Sequence, residues 1–245
     1  MSSDLAETAR ELDARFAEAP LADVLRFALG TFREELTFAC SLGVEDMVVL
    51  HEAVRIGREL DLAPRVFLLD TGRLHQETYD LADRARAHYG VELEVYAPDT
   101  LAVESLVRRK GMNSFYDSVD DRRECCHVRK VRPLGRALAG VKAWVTGMRR
   151  EQAQTREELR VVEVDAANGG ILKLNPLARW GHAEVWDFVR ENGVPTHALH
   201  GRGYPSIGCA PCTRAVGEGE SVRAGRWWWE APDHKECGLH ARGAR

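Results

Sequence analysis

The cysteines of this 245-residue chain fall into a pattern that points to metal or sulfur chemistry. Cys125 and Cys126 are adjacent, and Cys209 and Cys212 form a Cys-X-X-Cys unit. Such a unit alone fits zinc, an iron–sulfur cluster or a redox-active pair. Adjacent side chains on one helical turn diverge, so they suit separate iron atoms of a cubane better than one tetrahedral zinc. The four residues therefore favour a [4Fe-4S] cluster over zinc, a thiol pair or unrelated buried cysteines.

The other two cysteines have different surroundings. Cys237 lies eight residues from the C-terminus, near Lys235 and His240. Neighbouring cations stabilise a thiolate, which suits a nucleophile, and an inert tail cysteine is the alternative. Cys40 ends an apolar run and is predicted to pack in the core, where cysteine behaves as a small hydrophobe.

A basic stretch begins beside the first cysteine pair. Ten basic and two acidic residues lie between Arg122 and Arg156, in a chain with net charge −4. A solvated helix face is the alternative, but the position of the stretch favours binding of an anion such as phosphate or sulfate. A second pair, Arg223 and Arg226, precedes three tryptophans, and on a helix the two side chains would share one face.

Bulk composition excludes several classes of protein. Hydrophobic residues make up 44% and charged residues 29%, as in globular domains. The acidic net charge argues against general nucleic-acid binding. No run approaches the roughly 20 apolar residues of a membrane span, and the N-terminus lacks the apolar core of a signal peptide. We therefore expect a cytoplasmic protein without a membrane partner, whose cysteines are thiols or metal ligands rather than disulfides.

The elements that must position these residues alternate between strands and helices. This alternation predicts an α/β fold, with a mostly parallel sheet and helices on both faces. Two amphipathic helices precede it, separated by Pro20, and a β-hairpin around Asn168-Gly169-Gly170 and a helix at 182–191 follow it. Strands are predicted at residues 36–40, 66–69, 91–96 and 141–146, alternating with helices at 45–56, 75–88, 101–107 and 126–138.

The loops that follow the strands are the expected ligand site. Right-handed crossovers place the loops 41–46, 70–75 and 147–156 at one edge of the sheet, where such folds bind nucleotides. We assign residues 1–208 to a nucleotide-binding α/β domain with N-terminal helices. Residues 209–245 form an irregular tail that binds the cluster and carries Cys237.

Together, these motifs resemble the assimilatory sulfonucleotide reductases, and more narrowly the bacterial iron–sulfur adenylyl-sulfate (APS) reductases. The resemblance covers roughly residues 36–240. It depends on the four cysteines, on Cys237 within Glu-Cys-Gly-Leu-His, and on further motifs in the same order. These are Ser41-Leu42-Gly43-Val44-Glu45-Asp46, Leu69-Asp70-Thr71-Gly72, Gly147-Met148-Arg149-Arg150 and the stretch from Arg223 to Trp229.

The resemblance implies a fold like that of the adenine-nucleotide α-hydrolases and the conversion of APS to sulfite and AMP. The Cys237 thiolate would attack the sulfate sulfur, and a thioredoxin- or glutaredoxin-like dithiol protein would release sulfite from the resulting S-sulfocysteine. Lys130, four residues after Cys126, would stabilise the sulfate oxygens together with Arg223 and Arg226. Whether the chain forms a homo-oligomer is left open by the sequence. The other substrate-binding residues implied are Ser41, Gly43, Asp46, Leu69, Thr71, Gly147, Arg156 and His240.

Three alternatives remain at this stage. The first is an enzyme that reduces the 3′-phosphorylated substrate, PAPS, either alone or together with APS. A transfer-RNA-thiolating enzyme would need the ATP-cleaving loop Ser-Gly-Gly-X-Asp-Ser, in which Leu42 here replaces a glycine and the last serine is absent. A non-enzymatic iron–sulfur sensor would have no use for Cys237.

Overall fold

A six-stranded, mostly parallel sheet forms the centre of the protein, as the sequence predicts. The computed structural model describes residues 2–153 and 156–231. The strand order is β3-β2-β1-β4-β6-β5, and only the β5–β6 pair is antiparallel. The strands are β1 (Leu36–Ala39), β2 (Val66–Leu69), β3 (Leu93–Tyr96), β4 (Ala143–Val145), β5 (Val162–Asp165) and β6 (Ile171–Leu174).

Helices cover both faces of the sheet, because alternate strand residues point to opposite sides. Phe38 and Val145 belong to one large apolar core with α2, α3 and α8, whereas Phe67 and Trp144 pack with α7 on the other face. The helices are α1 (Ser2–Phe16), α2 (Leu21–Phe32), α3 (Val44–Leu60), α4 (Gln76–Tyr89), α5 (Thr100–Lys110), α6 (Val119–Cys126), α7 (Arg132–Ala137) and α8 (His182–Asn192).

The predicted helix at 126–138 is wrong in its start and in its regularity. Helix α6 begins at Val119, because the Ser118 side chain caps it by accepting a hydrogen bond from the Asp121 N–H at 3.0 Å. A π-helical turn, His127–Val131, then separates α6 from α7. Ser118 and the acidic residues after it are a start signal that the sequence carried.

The predictions for the hairpin and for Cys40 are confirmed. The hairpin of β5 and β6 turns through Gly169 and Gly170, which have φ values of +87° and +70°. Cys40 is buried in the main core. Among the described residues, no helix is both long and apolar enough to cross a bilayer.

Candidate active site

A cavity of about 220 Å³ opens at the carboxyl ends of β1, β2 and β4. In the sheet, β2 and β3 lie on one side of β1 and β4 lies on the other, so the strand order reverses here, which is the place where open α/β sheets bind ligands. Cys237 and His240 lie outside the described residues. The structure brings all the other predicted substrate-binding residues to this cavity: Ser41, Gly43, Asp46, Leu69, Thr71, Lys130, Gly147, Arg156, Arg223 and Arg226.

The loop after β1 is held in a tight conformation by Asp46. Its carboxylate accepts hydrogen bonds from the Ser41 N–H at 2.7 Å and the Ser41 hydroxyl at 2.5 Å. Burial raises the pKa of Asp46, and the bonds from Ser41 oppose that rise. Leu42 takes the left-handed conformation, with φ +62°, and its side chain is fully buried. Leu42 thus fills core space at a position where an ATP-cleaving loop has a glycine.

Arg149 has a structural role that its place in the basic stretch did not indicate. Its guanidinium donates to Glu45 Oε1 at 2.9 and 3.0 Å and to the Trp180 carbonyl at 3.1 Å. The Arg149 side chain is 2% exposed and that of Glu45 is 16% exposed, so the guanidinium is buried against a partly exposed carboxylate. Of the ten basic residues in the stretch, Lys130 and Arg156 line the cavity, and the anion-binding expectation therefore applies to these two.

Arg226 is packed tightly at the wall of the cavity. Its guanidinium lies 4.7 Å from the centre of the Trp227 ring, an arrangement that stabilises a cation. On its other side is Gly208, where a Cβ would approach the guanidinium to 2.3 Å. Arg223 lies 6.0 Å from the same ring. Neither arginine lies on a helix: Arg223 is in a turn and Arg226 forms an isolated β-bridge with Thr213, yet both reach the cavity.

The four predicted ligand cysteines meet around a second, smaller pocket. Cys125, Cys126, Cys209 and Cys212 are all free thiols and all line it, and Lys130 lines both this pocket and the large cavity. In the described part of the chain, no three Cys, His, Asp or Glu side chains converge tightly enough to hold a single metal ion. Four thiols that line one pocket are the donor type that iron–sulfur clusters use.

The electrostatics of this pocket differ from one cysteine to the next. Burial raises the pKa of Cys212 to about 12, and the neighbouring Cys209 and Cys126 add to the rise. Burial would also raise the pKa of Cys209, but Lys130 and a 3.2 Å hydrogen bond with the Thr71 hydroxyl outweigh it and lower the pKa. Four thiolates in this pocket would therefore need positive charge among them.

The last described segment is anchored to the cysteine-bearing helix α6. Arg122 and Glu230 form a paired hydrogen bond at 2.9 and 2.7 Å, with side chains 1% and 2% exposed. The Arg122 guanidinium also lies 4.8 Å from the centre of the Trp227 ring. The residues that precede the C-terminal stretch are thereby fixed beside the cysteine pocket.

Sequence reasoning missed several residues that line the cavity. Pro205, Ser206, Ile207 and Gly208 come from the irregular stretch directly before Cys209, and Trp144 comes from β4. The density of glycine and proline before a ligand cysteine was the available signal for the first four. Trp144 looks like any other apolar strand residue in the sequence, so no local pattern marks it as part of the cavity lining.

Comparison with known proteins gives a consistent result. The profile of the phosphoadenosine phosphosulfate reductase domain matches residues 35–215. An adenosine 5′-phosphosulfate reductase of Allochromatium vinosum is 57% identical over 209 residues, which are 85% of this chain and 80% of that protein. The crystal structure of a Candida auris phosphoadenylyl-sulfate reductase aligns with a TM-score of 0.71 and 31% identity, covering 86% of this chain and 97% of the other.

A more distant likeness concerns the fold alone. Yeast FAD synthetase aligns with a TM-score of 0.54 at 16% identity, covering 87% of this chain and 76% of that one.

Proposed function

The chain belongs to the phosphoadenosine phosphosulfate reductase family and has the adenine-nucleotide α-hydrolase-like fold, and we propose that it reduces APS to sulfite and AMP in sulfate assimilation. One observation carries the proposal. Lys130 lines both the cavity at the strand ends and the pocket of four cysteines, so the predicted nucleotide and cluster sites share a cation.

The substrate would lie with its adenosine over the ends of β1, β2 and β4 and its phosphosulfate towards the basic side chains. In this pose the base and ribose would contact Ser41, Gly43, Leu69 and Gly147, which line the cavity. The lining also carries Lys130, Arg156, Arg223 and Arg226, whose charges suit phosphate and sulfate oxygens. Thr71 lines the cavity too, and its hydroxyl is 3.2 Å from the Cys209 sulfur.

The first chemical step transfers the sulfonate group to the enzyme. The Cys237 thiolate attacks the sulfate sulfur, the bond between that sulfur and the bridging phosphate oxygen breaks, and AMP leaves with the electron pair. The products are AMP and Cys237 S-sulfonate. Lys130, Arg223 and Arg226 would stabilise the negative charge that develops on the leaving oxygens.

The second step needs two electrons from a reduced dithiol protein, which we propose to be of the thioredoxin or glutaredoxin type. One of its thiolates attacks the Cys237 sulfur, and sulfite leaves with the electrons of the broken S–S bond. Its second thiol then attacks the mixed disulfide. This releases the Cys237 thiol and leaves the partner as a disulfide, so the two electrons and two protons come from the partner.

We further propose that Cys125, Cys126, Cys209 and Cys212 hold a [4Fe-4S] cluster. Their common pocket and the cations Arg73, Arg129 and Lys130 that also line it support this assignment. When bound, such a cluster ties four thiolates into one charged unit beside Lys130. In this scheme residues 1–208 form the nucleotide-binding domain, and residues 209–245 provide two cysteine ligands, Arg223, Arg226 and the nucleophile. We propose that the protein acts in the cytoplasm.

Mass spectrometry of a single half-reaction tests the proposal. The purified protein is incubated with isotope-labelled APS and no reductant, digested, and searched for a labelled sulfonate on the peptide that contains Cys237. We expect one sulfonate per chain and one equivalent of AMP. AMP release without a modified Cys237, or no reaction at all, would contradict the mechanism.

The second candidate substrate is PAPS, since the solved structure with 31% identity is a phosphoadenylyl-sulfate reductase. Turnover of APS and PAPS under identical conditions distinguishes the two. A strong preference for PAPS would replace the substrate in the proposal and leave the chemistry of Cys237 unchanged.

A further inference from the structure

Three exposed apolar residues lie near the cysteine pocket: Tyr116 and Trp228, whose rings pair, and Met112, whose carbonyl accepts a hydrogen bond from the pocket residue Arg73. Met112 is 66% exposed, Tyr116 41% and Trp228 39%. The Tyr116 and Trp228 rings are 6.2 Å apart, and the Tyr116 N–H donates to the carbonyl of Asn113, the residue after Met112. We call these three residues the Met-Tyr-Trp patch. Surfaces of this composition are typical of protein interfaces, where Trp, Tyr and Met are enriched.

The patch is held in place by its own contacts. Arg73 donates to the Met112 carbonyl at 2.6 Å and stacks over the Phe115 ring at 5.1 Å. The Tyr116 ring packs 4.5 Å from that of Trp229, and Trp229 packs against the cysteines. Side chains ordered before binding lose less conformational entropy when a partner covers them. The patch is therefore suited to a preformed docking site.

The patch also adjoins both parts of the site. The Tyr116 hydroxyl donates to the Pro211 carbonyl at 2.7 Å, and Pro211 lies between Cys209 and Cys212. Trp228 directly follows Trp227, which lines the substrate cavity. A protein seated on this patch would contact the rim of the active site.

We propose that the Met-Tyr-Trp patch is the docking surface for the reduced dithiol protein that releases sulfite from Cys237, an inference that rests on the proposed function. Cys237 is nine residues after Trp228, so an extended chain keeps its thiol within about 30 Å of the patch. A docked protein whose reactive cysteine pair has an apolar rim can therefore reach the S-sulfonate.

The charges around the patch point to apolar docking. Arg109 and Lys110, at the end of α5, are paired with Glu124 and Asp121 on α6. These cations are largely balanced, so they offer little net charge for steering an acidic partner. We accordingly expect partner affinity to change little with salt, because exposed apolar area rather than charge supplies it.

Single substitutions test the patch in the full-length, cluster-loaded enzyme. Met112→Glu and Trp228→Glu place a charge in it, and Leu101→Glu places one on an equally prominent apolar residue at the other end of α5, where Leu101 is 73% exposed. With reduced thioredoxin as the probe, we expect kcat/KM for the dithiol protein to fall at least about tenfold in the two patch variants. Leu101→Glu should match the unsubstituted enzyme.

Two further measurements separate docking from other effects. Turnover with dithiothreitol and the single-turnover formation of Cys237 S-sulfonate should be unchanged in all three variants, and so should cluster absorbance. Unchanged thioredoxin kinetics in both patch variants would overturn the proposal. Slower S-sulfonate formation in the patch variants would also overturn it, because the patch would then bind the chain's own residues 232–245 rather than the dithiol protein. A change in oligomeric state would assign it to a second copy.

Failure of the proposed function gives a different result. If the unsubstituted enzyme forms no S-sulfonate from APS, the chemistry itself is wrong, and the docking proposal fails with it. If S-sulfonate forms normally but both patch variants show the same thioredoxin kinetics as Leu101→Glu, the docking proposal fails and the proposed function stands.

Discussion

Asp46 accepts a hydrogen bond from the backbone N–H of Gly147 at 3.0 Å, across 101 residues of sequence. This bond joins the loop after β1 to the loop after β4, the two loops that form the floor of the cavity. The contact leaves no room for a side chain, since a Cβ at position 147 would lie 2.4 Å from Asp46 Oδ1 and 2.8 Å from its backbone nitrogen. The glycine therefore sets how closely the two loops approach.

Gly147→Ala should damage substrate binding more than folding. The added methyl group must push the loop after β1 away, at a cost of about 1–3 kcal/mol for overpacking. We expect KM for APS to rise at least tenfold, measured by steady-state kinetics. Gly135→Ala is the matched control, because nothing lies within 4 Å of a Cβ there and α7 should gain helix propensity. Equal KM values for the two variants would show that the loop contact is unimportant.

Cys237→Ser and Cys209→Ser should separate the nucleophile from the cluster. Cys237→Ser is expected to keep the visible absorbance of an iron–sulfur protein and to form no sulfite. Cys209→Ser should lose both, because the cluster would lack one of its four thiolates. Absorbance spectra and sulfite assays on the purified variants decide this. Sulfite production by Cys237→Ser would rule out the S-sulfocysteine intermediate.

Glu230→Gln should destabilise the protein, because it leaves the Arg122 charge buried without its carboxylate partner. Removal of one partner from a buried ion pair costs about 3–5 kcal/mol of unfolding free energy. Urea unfolding at neutral pH measures it. Glu220→Gln is the control, since its pair with Arg214 has side chains 35% and 39% exposed and should cost less than about 1 kcal/mol. Similar losses in the two variants would contradict the anchoring role of Glu230.

His197 should make the protein less stable in mild acid. Burial, together with the neighbouring His200 and His75, lowers the pKa of His197 to about 4 from the usual 6.5. The folded state then binds fewer protons than the unfolded chain between these values. The contribution of neutral His197 to the free energy of unfolding is therefore present in full above pH 6.5 and is lost as the pH drops towards 4.

Urea unfolding at two pH values checks this expectation. The shift corresponds to a loss of about 2 kcal/mol between pH 7 and pH 5. A His197→Gln variant should lose less between the two pH values, although it starts from a lower stability because the 3.0 Å bond to the Thr78 hydroxyl is altered. His88→Gln, at an exposed site, serves as the control. An unchanged pH slope in His197→Gln would show that another group is responsible.

Much of the fold and of the site was predictable from local patterns. A short apolar run located β2, alternation located β3, and glycine, polar loops and cysteine spacing marked the cavity and its pocket. Pairings between distant residues were not predictable, because a tertiary approach selects them. Arg149 reads like any other arginine of the basic stretch, and only the fold shows that Glu45 neutralises it. The partnership of Arg122 with Glu230, 108 residues apart, has the same origin.

The π-helical turn at His127–Val131 has a consequence for how this sequence tolerates insertions and deletions. A π turn holds more residues than an α turn, so it corresponds to a one-residue insertion in an otherwise continuous helix. Loss of one residue would restore regular hydrogen bonding but rotate Lys130 by about 100° relative to Cys126. The helix would gain stability, and the cation would leave the boundary between the two pockets. Chain length in this segment should thus be under the same selection as residue identity.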